Sequence, residues 1–520
     1  MAKERIMKFL SAVFIVLSLS GCAGLNPERS LTEAVQTEGG LVSGTGTDVL
    51  AFRGIPYAKA PIGALRWREP QAAPTSSGVR DGSKFGPDCM QPNEYPELRG
   101  AGMSEDCLSV NVWTPARTSA ERLPVLVWIY GGGFTYGSGS HPTYDGEALA
   151  RRGVVVVTFN YRMGLFGFMA HPQLTAESPH KASGNYALMD QIAALKWIQR
   201  NISAFGGDPL RVTVAGQSAG AMSISSLMTS DLSRGLFQQA ILQSVGVMRP
   251  MSVLKEAEEF GMTVGPDISA LRRLPAEDLV KRLADVSPPS REVTSSRGIG
   301  TIVDGYVVPR DDRAAYREGK HMQIPLIVGT VSNEGAGIAR RLALKTVPDL
   351  NAYITRNFLG DEARALKEYE ASSDADVMKV LSDLVSDTQY QFGTREMLRT
   401  VAPRQPRVYR YVFSQRRNAA AIDPIHGDEL QYPFENLGAL HRGRLRPFDK
   451  SDEKVSAAMA SAWASFVKTG NPNTGDLPNW PAYTPTNETY FEFGANLSTA
   501  PLKASSRLDF IRDFYAKRNR

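Results

Sequence analysis

Several residues in this chain are of the types, and stand at the spacings, that could act together on an activated carbonyl. Residues 212–223 read VTVAGQSAGAMS, and there Gly216 and Gly220 flank Ser218 in a G-x-S-x-G pattern. A serine hydroxyl is a weak nucleophile. On a sharp turn between a strand and a helix its oxygen is exposed and aimed at the helix N-terminus. In a chain with 46 glycines the pattern needs support from a base, an acid and donors for a developing oxyanion. Gly131, Gly132 and Gly133 directly follow the apolar run PVLVWIY, where bare backbone can point N–H groups at a ligand.

The base must be a histidine, and the chain has six. With the order serine, acid, base, only His321, His426 and His441 remain. His321, in GKHMQIP at a helix end before a strand, reads as a surface or dipole-facing residue, and His441 sits in the basic stretch HRGRLRPFDK. His426, in DPIHGDELQYPF, occupies a turn between Pro424 and Gly427 and is the base by elimination. Glu334, in VGTVSNEG, stands just past an apolar strand, where loops at the carboxyl edge of a parallel sheet gather catalytic groups. Asp428 and Glu429 are rival acids close to His426 in the chain.

The elements that must hold these residues are legible as apolar patterns. PVLVWIY and VVVVTFNY are continuous runs, as expected of strands buried on both faces. Leu188, Ile192, Leu195 and Ile198 fall at helical spacing, RVTVAG predicts a strand ending at the serine, and AGAMSISSLM predicts the helix after it. QAILQSV, IPLIVGT and VYRYVF predict further strands, and SDEKVSAAMASAWASFVKTG predicts a long helix stopped by Gly470. Residues 37–58 suggest a small antiparallel meander. Strands alternating with helices imply an α/β fold with a mostly parallel sheet covered on both faces. Residues 255–317 and 347–400 are more charged and read as helical excursions forming a cap or the walls of a gorge.

The chain start has a different character. MAKERIMK precedes an 11-residue apolar core, FLSAVFIVLSL, the pattern of a secretory leader and short for a membrane span. Leu-Ser-Gly-Cys at residues 19–22 resembles the bacterial lipobox, which implies a leader over 1–21, lipidation at Cys22 and a tether over 22–31. Ala23 after the cysteine favours the outer membrane by the same resemblance. The expected location is therefore exported and membrane-anchored, periplasmic or at the cell surface. Cys89 and Cys107 remain, and in an exported protein an isolated pair is most simply a disulfide. The net charge of +5 falls to +3 without the leader, whose Lys3, Arg5 and Lys8 outweigh Glu4. That balance is too mild to suggest nucleic acid.

These motifs together resemble the type-B carboxylesterase and cholinesterase family of the α/β-hydrolase fold, the bacterial para-nitrobenzyl esterases among them. FRGIPYAKAPIGALRW, SEDCLSVNVWTP, PVLVWIYGGGF, FNYRMGLFGF, GNYALMDQIAALKWIQRNISAFGGDPLRVTVAGQSAG and AWASFVKTGNPN with NWPAY carry the likeness in order. It implies one α/β-hydrolase domain over 32–520, a catalytic Ser218, Glu334 and His426, and oxyanion donors at the N–H groups of Gly132, Gly133 and Ala219. It also implies the Cys89–Cys107 disulfide, ion pairs of Arg66 with Glu105 and of Arg162 with Asp190, and a supporting role near the triad for Ser244. Two departures stand out. Gln217 replaces the usual glutamate before the nucleophile, and Tyr95 is the sole aromatic in the disulfide loop, where cholinesterases place a tryptophan for quaternary ammonium.

The resulting expectation is a serine carboxylesterase acting on a small-molecule ester through an acyl-enzyme. It needs no metal or other cofactor, and it is a monomer or weak homo-oligomer. The alternatives are a specialised detoxifying esterase for bulky or polyanionic esters, and a non-catalytic binding module. The filled triad positions argue against the latter.

Overall fold

In a computed structural model of the chain the described residues are 30–31, 34–92, 100–286, 292–294, 298–416, 423–439 and 447–518. The leader, Cys22, Tyr95 and His441 lie outside them, as does all but the last part of the tether.

The apolar runs assemble into a ten-stranded sheet. In chain order its strands are β1 (Leu50–Pro56), β2 (Ser109–Thr114), β3 (Leu123–Ile129), β4 (Val155–Phe159) and β5 (Gly207–Gln217). They continue with β6 (Gln239–Gln243), β7 (Leu326–Val331), β8 (Val408–Phe413), β9 (Thr489–Phe493) and β10 (Ser498–Pro501). The spatial order is β10-β9-β8-β7-β6-β5-β3-β4-β2-β1. From β9 to β4 every neighbouring pair is parallel. The outer pairs, β1 with β2, β2 with β4, and β9 with β10, are antiparallel. Val125, Val127, Ile129, Val155, Val157, Val212 and Val214 are fully buried, as strands covered on both faces require.

Helices supply that cover. Among them are α1 (Tyr186–Asn201), α2 (Ala219–Thr229) and α3 (Lys450–Thr469). The predicted apolar stripe of α1 is buried throughout, and so are its polar Asp190 and Gln191. Asp190 is affordable there because Arg162 meets it with two 2.8 Å bonds, through Nε and Nη2. α3 opens on a capping box at Asp449 and Asp452 and ends at Gly470, whose φ of 73° is left-handed. The excursions at 255–317 and 347–400 are helical, as their patterning predicts.

Two expectations need correction. The meander does not hold together: Val35–Thr37 pairs antiparallel with Gly40–Ser43, which pairs in parallel with Val79–Asp81. β1 instead leaves for the edge of the main sheet, where its apolar face finds β2. His321 is not a surface residue. Only 3% of it is exposed, its ring lies 4.7 Å from that of Tyr316, and neither ring nitrogen has a partner among the described residues.

Burial, with Arg404's charge secondary, pushes His321 down to about 4. The unfolded chain then binds the extra proton first as pH falls below the ordinary histidine value of about 6.5. The native state is therefore expected to lose on the order of 3 kcal/mol between about pH 6.5 and 4 through this residue. Urea midpoints across that range should fall less for His321→Phe than for the wild type. Parallel slopes would show that His321 is not the titrating group.

Candidate active site

Ser218 stands at the junction of β5 and α2 with φ 54° and ψ −120°, a conformation L-residues seldom adopt. The turn can form because Gly216 and Gly220, two residues to either side, lack side chains. A Cβ on Gly220 would come within 1.9 Å of the Ile129 carbonyl oxygen, so α2 packs this closely against β3 only with glycine there. The Ser218 N–H donates to the Gln243 carbonyl at 2.9 Å, anchoring the elbow to β6.

The glycine loop after β3 lies against the elbow. A Cβ on Gly131 would sit 3.0 Å from that of Ser218, and Gly132 and Gly133 have φ of 115° and 62°. Neither the Gly132 nor the Gly133 N–H has a backbone acceptor among the described residues, and Ala219 opens the free N-terminus of α2. The arrangement collects unbonded N–H dipoles beside the serine.

His426 and Glu334 come from different loops that are tied together. Asn333 N–H donates to the Pro424 carbonyl at 3.2 Å, and Asn333 bridges Ile425. Asp428 Oδ2 accepts from Ile425 N–H at 3.0 Å, so this rival acid shapes the histidine turn. The carboxylate at His426 Nδ1 is Glu334, whose Oε2 lies 2.6 Å away. Glu334 is fully buried and its Oε1 accepts the Val331 N–H at 2.9 Å. Glu429, the other rival, is equally buried but faces Gln243 Nε2 at 3.4 Å. Burial and the nearby charge of Glu334 push it up to about 8, so it is neutral at pH 7.

With Nδ1–H donating to Glu334, Nε2 of His426 carries the lone pair. It accepts from Gln217 Nε2 at 3.2 Å. Gln217, the residue before Ser218, thus keeps a hydrogen bond to the imidazole without adding charge. A carboxylate at that position would favour the imidazolium. Gln217→Glu is therefore expected to move the acid limb of the kcat/KM profile to higher pH; an unmoved limb would show that residue 217 does not act on His426.

The surrounding expectations can be placed as well. Ser244 is buried with φ 53°, donates its N–H to the Gly329 carbonyl at 2.8 Å, and has no described partner for its Oγ. Cys89 and Cys107 form the disulfide, with Cα atoms 5.0 Å apart. Arg66 Nε donates to Glu105 at 2.8 Å, while its Nη1 reaches the carbonyls of Leu271, Arg272 and Leu274. Sequence patterns did not point to Tyr390. Its ring lies 4.6 Å from that of His426, carried on the π-helical segment Asp387–Gln391, and helical spacing gives no sign of such a segment.

A parallel sheet with a serine elbow after β5, an acid after β7 and a histidine in the next loop defines an α/β-hydrolase. The carboxylesterase family matches residues 31–511, and the chain belongs to it. It is 46% identical to fumonisin B1 esterase of Sphingopyxis macrogoltabida, over 86% of this chain and 84% of that protein. Identity to para-nitrobenzyl esterase of Bacillus subtilis (strain 168) is 36%, over 87% and 92% respectively. A solved para-nitrobenzyl esterase structure superposes with a TM-score of 0.81 at 32% identity, covering 93% of this chain and 99% of the other. The protein is a serine carboxylesterase.

Proposed function

We propose that Ser218, His426 and Glu334 carry out ester hydrolysis through an acyl-enzyme. The observation that carries this reading is the 2.6 Å contact between His426 and Glu334 beside a serine held on a strained elbow. Nε2 of His426 exchanges the Gln217 amide for Ser218 Oγ and takes its proton as the oxygen attacks the ester carbonyl. The N–H groups of Gly132, Gly133 and Ala219 receive the charge on the tetrahedral oxygen. Glu334 holds the imidazole tautomer and stabilises its charge without taking the proton. The imidazolium protonates the leaving alcohol, and a water activated at Nε2 then releases the acid.

The likeness to fumonisin B1 esterase makes fumonisin B1 the first natural ester to assay, alongside p-nitrophenyl esters from acetate to octanoate. Turnover that stops when an organophosphate labels Ser218 supports the reading; turnover that persists in the fully labelled protein refutes it. The leader and lipobox pattern further supports an exported enzyme anchored through Cys22 to a bacterial, outer, membrane. Labelled palmitate should enter the wild type and not Cys22→Ser, and equal labelling of both would exclude that anchor.

A further inference from the structure

Beyond the triad, α2 and the loop after β6 enclose a recess lined by Met222, Ser226, Val247, Arg249, Ser252 and Asp312. The recess is small and partly open, with room for a small polar group. Its wall on α2 starts one helical turn past Ser218, at Met222. The Met222 N–H donates to the Ser218 carbonyl at 2.9 Å, one helical turn on, and Val247 lies three residues past Ser244. A rise of about 1.5 Å per residue puts Met222 and Ser226 on the order of 6 and 12 Å along α2 from the serine.

The charges in this recess are not balanced. Arg249 is only 6% exposed, and among the described residues its guanidinium has neither an ion pair nor a hydrogen bond, its Nε being buried without an acceptor. The neighbouring acid Asp311 is already committed to Arg313, with contacts of 2.8 and 2.7 Å. Asp312 lies on the same wall and makes no ion pair among the described residues. Its Oδ2 accepts the Met248 N–H at 3.3 Å, while Oδ1 is buried and unsatisfied. Burial, reinforced by the charge of Asp311, pushes Asp312 up to about 7, so in mildly acidic solution it is a carboxylic acid able to donate a hydrogen bond.

A buried guanidinium without a counter-ion is costly, and nearly all such groups in proteins are paired. Pro250 follows Arg249 and restricts its backbone, and Met251 N–H is held by Asp311 Oδ2 at 3.5 Å, so the loop presents the arginine from a braced position.

Resting on the esterase reading of Ser218, we propose that this recess is a carboxylate subsite: Arg249, with Asp312 beside it, receives a free carboxylate of the substrate while the scissile ester lies at Ser218. The substrates of choice are then short esters bearing a second, unesterified carboxyl group. That carboxylate belongs to the acyl part or to the alcohol part, and both sources present the same chemistry to Arg249.

Benzyl esters separate the cases, with benzyl valerate as the neutral reference. Monobenzyl glutarate carries the carboxylate on the acyl side, and 4-(butyryloxymethyl)benzoate carries it on the alcohol side. The wild type should hydrolyse one of the charged esters with at least tenfold higher kcat/KM than benzyl valerate, a result that needs no variant. In Arg249→Gln the ratio of charged-ester KM to neutral-ester KM should rise about 30-fold or more, with Arg249→Lys restoring part of it. Preference for benzyl valerate in the wild type, or an equal loss on all three esters in Arg249→Gln, would overturn the subsite. If no ester at all is turned over, it is the esterase reading that fails. Calorimetry of monobenzyl glutarate and the benzoate ester with Ser218→Ala then still reads the subsite: binding of either that Arg249→Gln abolishes supports it, and binding of neither refutes it.

Discussion

Ser218→Ala is expected to lower kcat for p-nitrophenyl butyrate by about 10⁶-fold, leaving only about 10³–10⁴-fold over the uncatalysed reaction. In the proposed mechanism the serine oxygen forms the covalent bond on which both half-reactions depend, and no neighbouring group can replace it at the elbow. Gln217 and Ala219 flank it, and their side chains are an amide and a methyl group. On the same proposal the residual rate would come from the N–H groups of Gly132, Gly133 and Ala219, which would still polarise the carbonyl for attack by water. Alanine keeps the Cβ and costs the elbow no volume, so the variant should fold with an unchanged melting temperature. A loss below a hundredfold in a folded variant would mean that another nucleophile does the work.

The second large effect is expected at Glu334→Gln, about 10⁴-fold in kcat with little change in KM. The direction follows from how the carboxylate is held. Oε1 accepts the Val331 N–H at 2.9 Å and Oε2 accepts from His426 Nδ1 at 2.6 Å. An amide has one oxygen, and Val331 N–H claims it, which turns the NH₂ toward the imidazole. Nδ1 must then accept, the ring proton moves to Nε2, and Nε2 no longer has a lone pair for the Ser218 proton. Charge is lost as well, so the imidazolium of the transition state, on a half-buried ring, stands without its counter-ion. Steady-state kinetics on p-nitrophenyl butyrate at pH 8 measure this directly. A loss smaller than tenfold would show that Glu334 only spaces the two loops.

How much of this was legible beforehand depended on whether a residue's role was local. The sheet strands around the elbow could be read because PVLVWIY, VVVVTFNY and RVTVAG are buried on both faces and must be apolar throughout. Ser218 and the glycines around it follow from backbone geometry that few other residues tolerate. His426 emerged by elimination. Its acid remained open between Glu334, Asp428 and Glu429 on residue positions alone, because all three lie in polar turns. What separates them is the folded chain: one bonds His426 Nδ1, one caps the turn, and one is buried and neutral.

Residues whose surroundings are assembled from distant segments were misread or missed. His321 lies beside Lys320 in GKHMQIP, yet the folded chain buries its imidazole, with the Tyr316 ring packed against it. Tyr390 belongs to an excursion read simply as helical, and a π-helical segment sets its ring against His426. Arg249, in MRPMS, has the local look of a solvated loop residue, yet it is almost wholly buried.

The most direct test of the central claim is to trap the acyl-enzyme. The enzyme would be mixed with excess p-nitrophenyl acetate, quenched in acid within milliseconds, and its intact mass and peptide map measured. A triad centred on Ser218 predicts a burst of p-nitrophenol, one acetyl group per active chain located on the peptide carrying Ser218, and no adduct in Ser218→Ala. An acetyl group on another residue that forms and decays at the rate of turnover, or full turnover by Ser218→Ala, would contradict it.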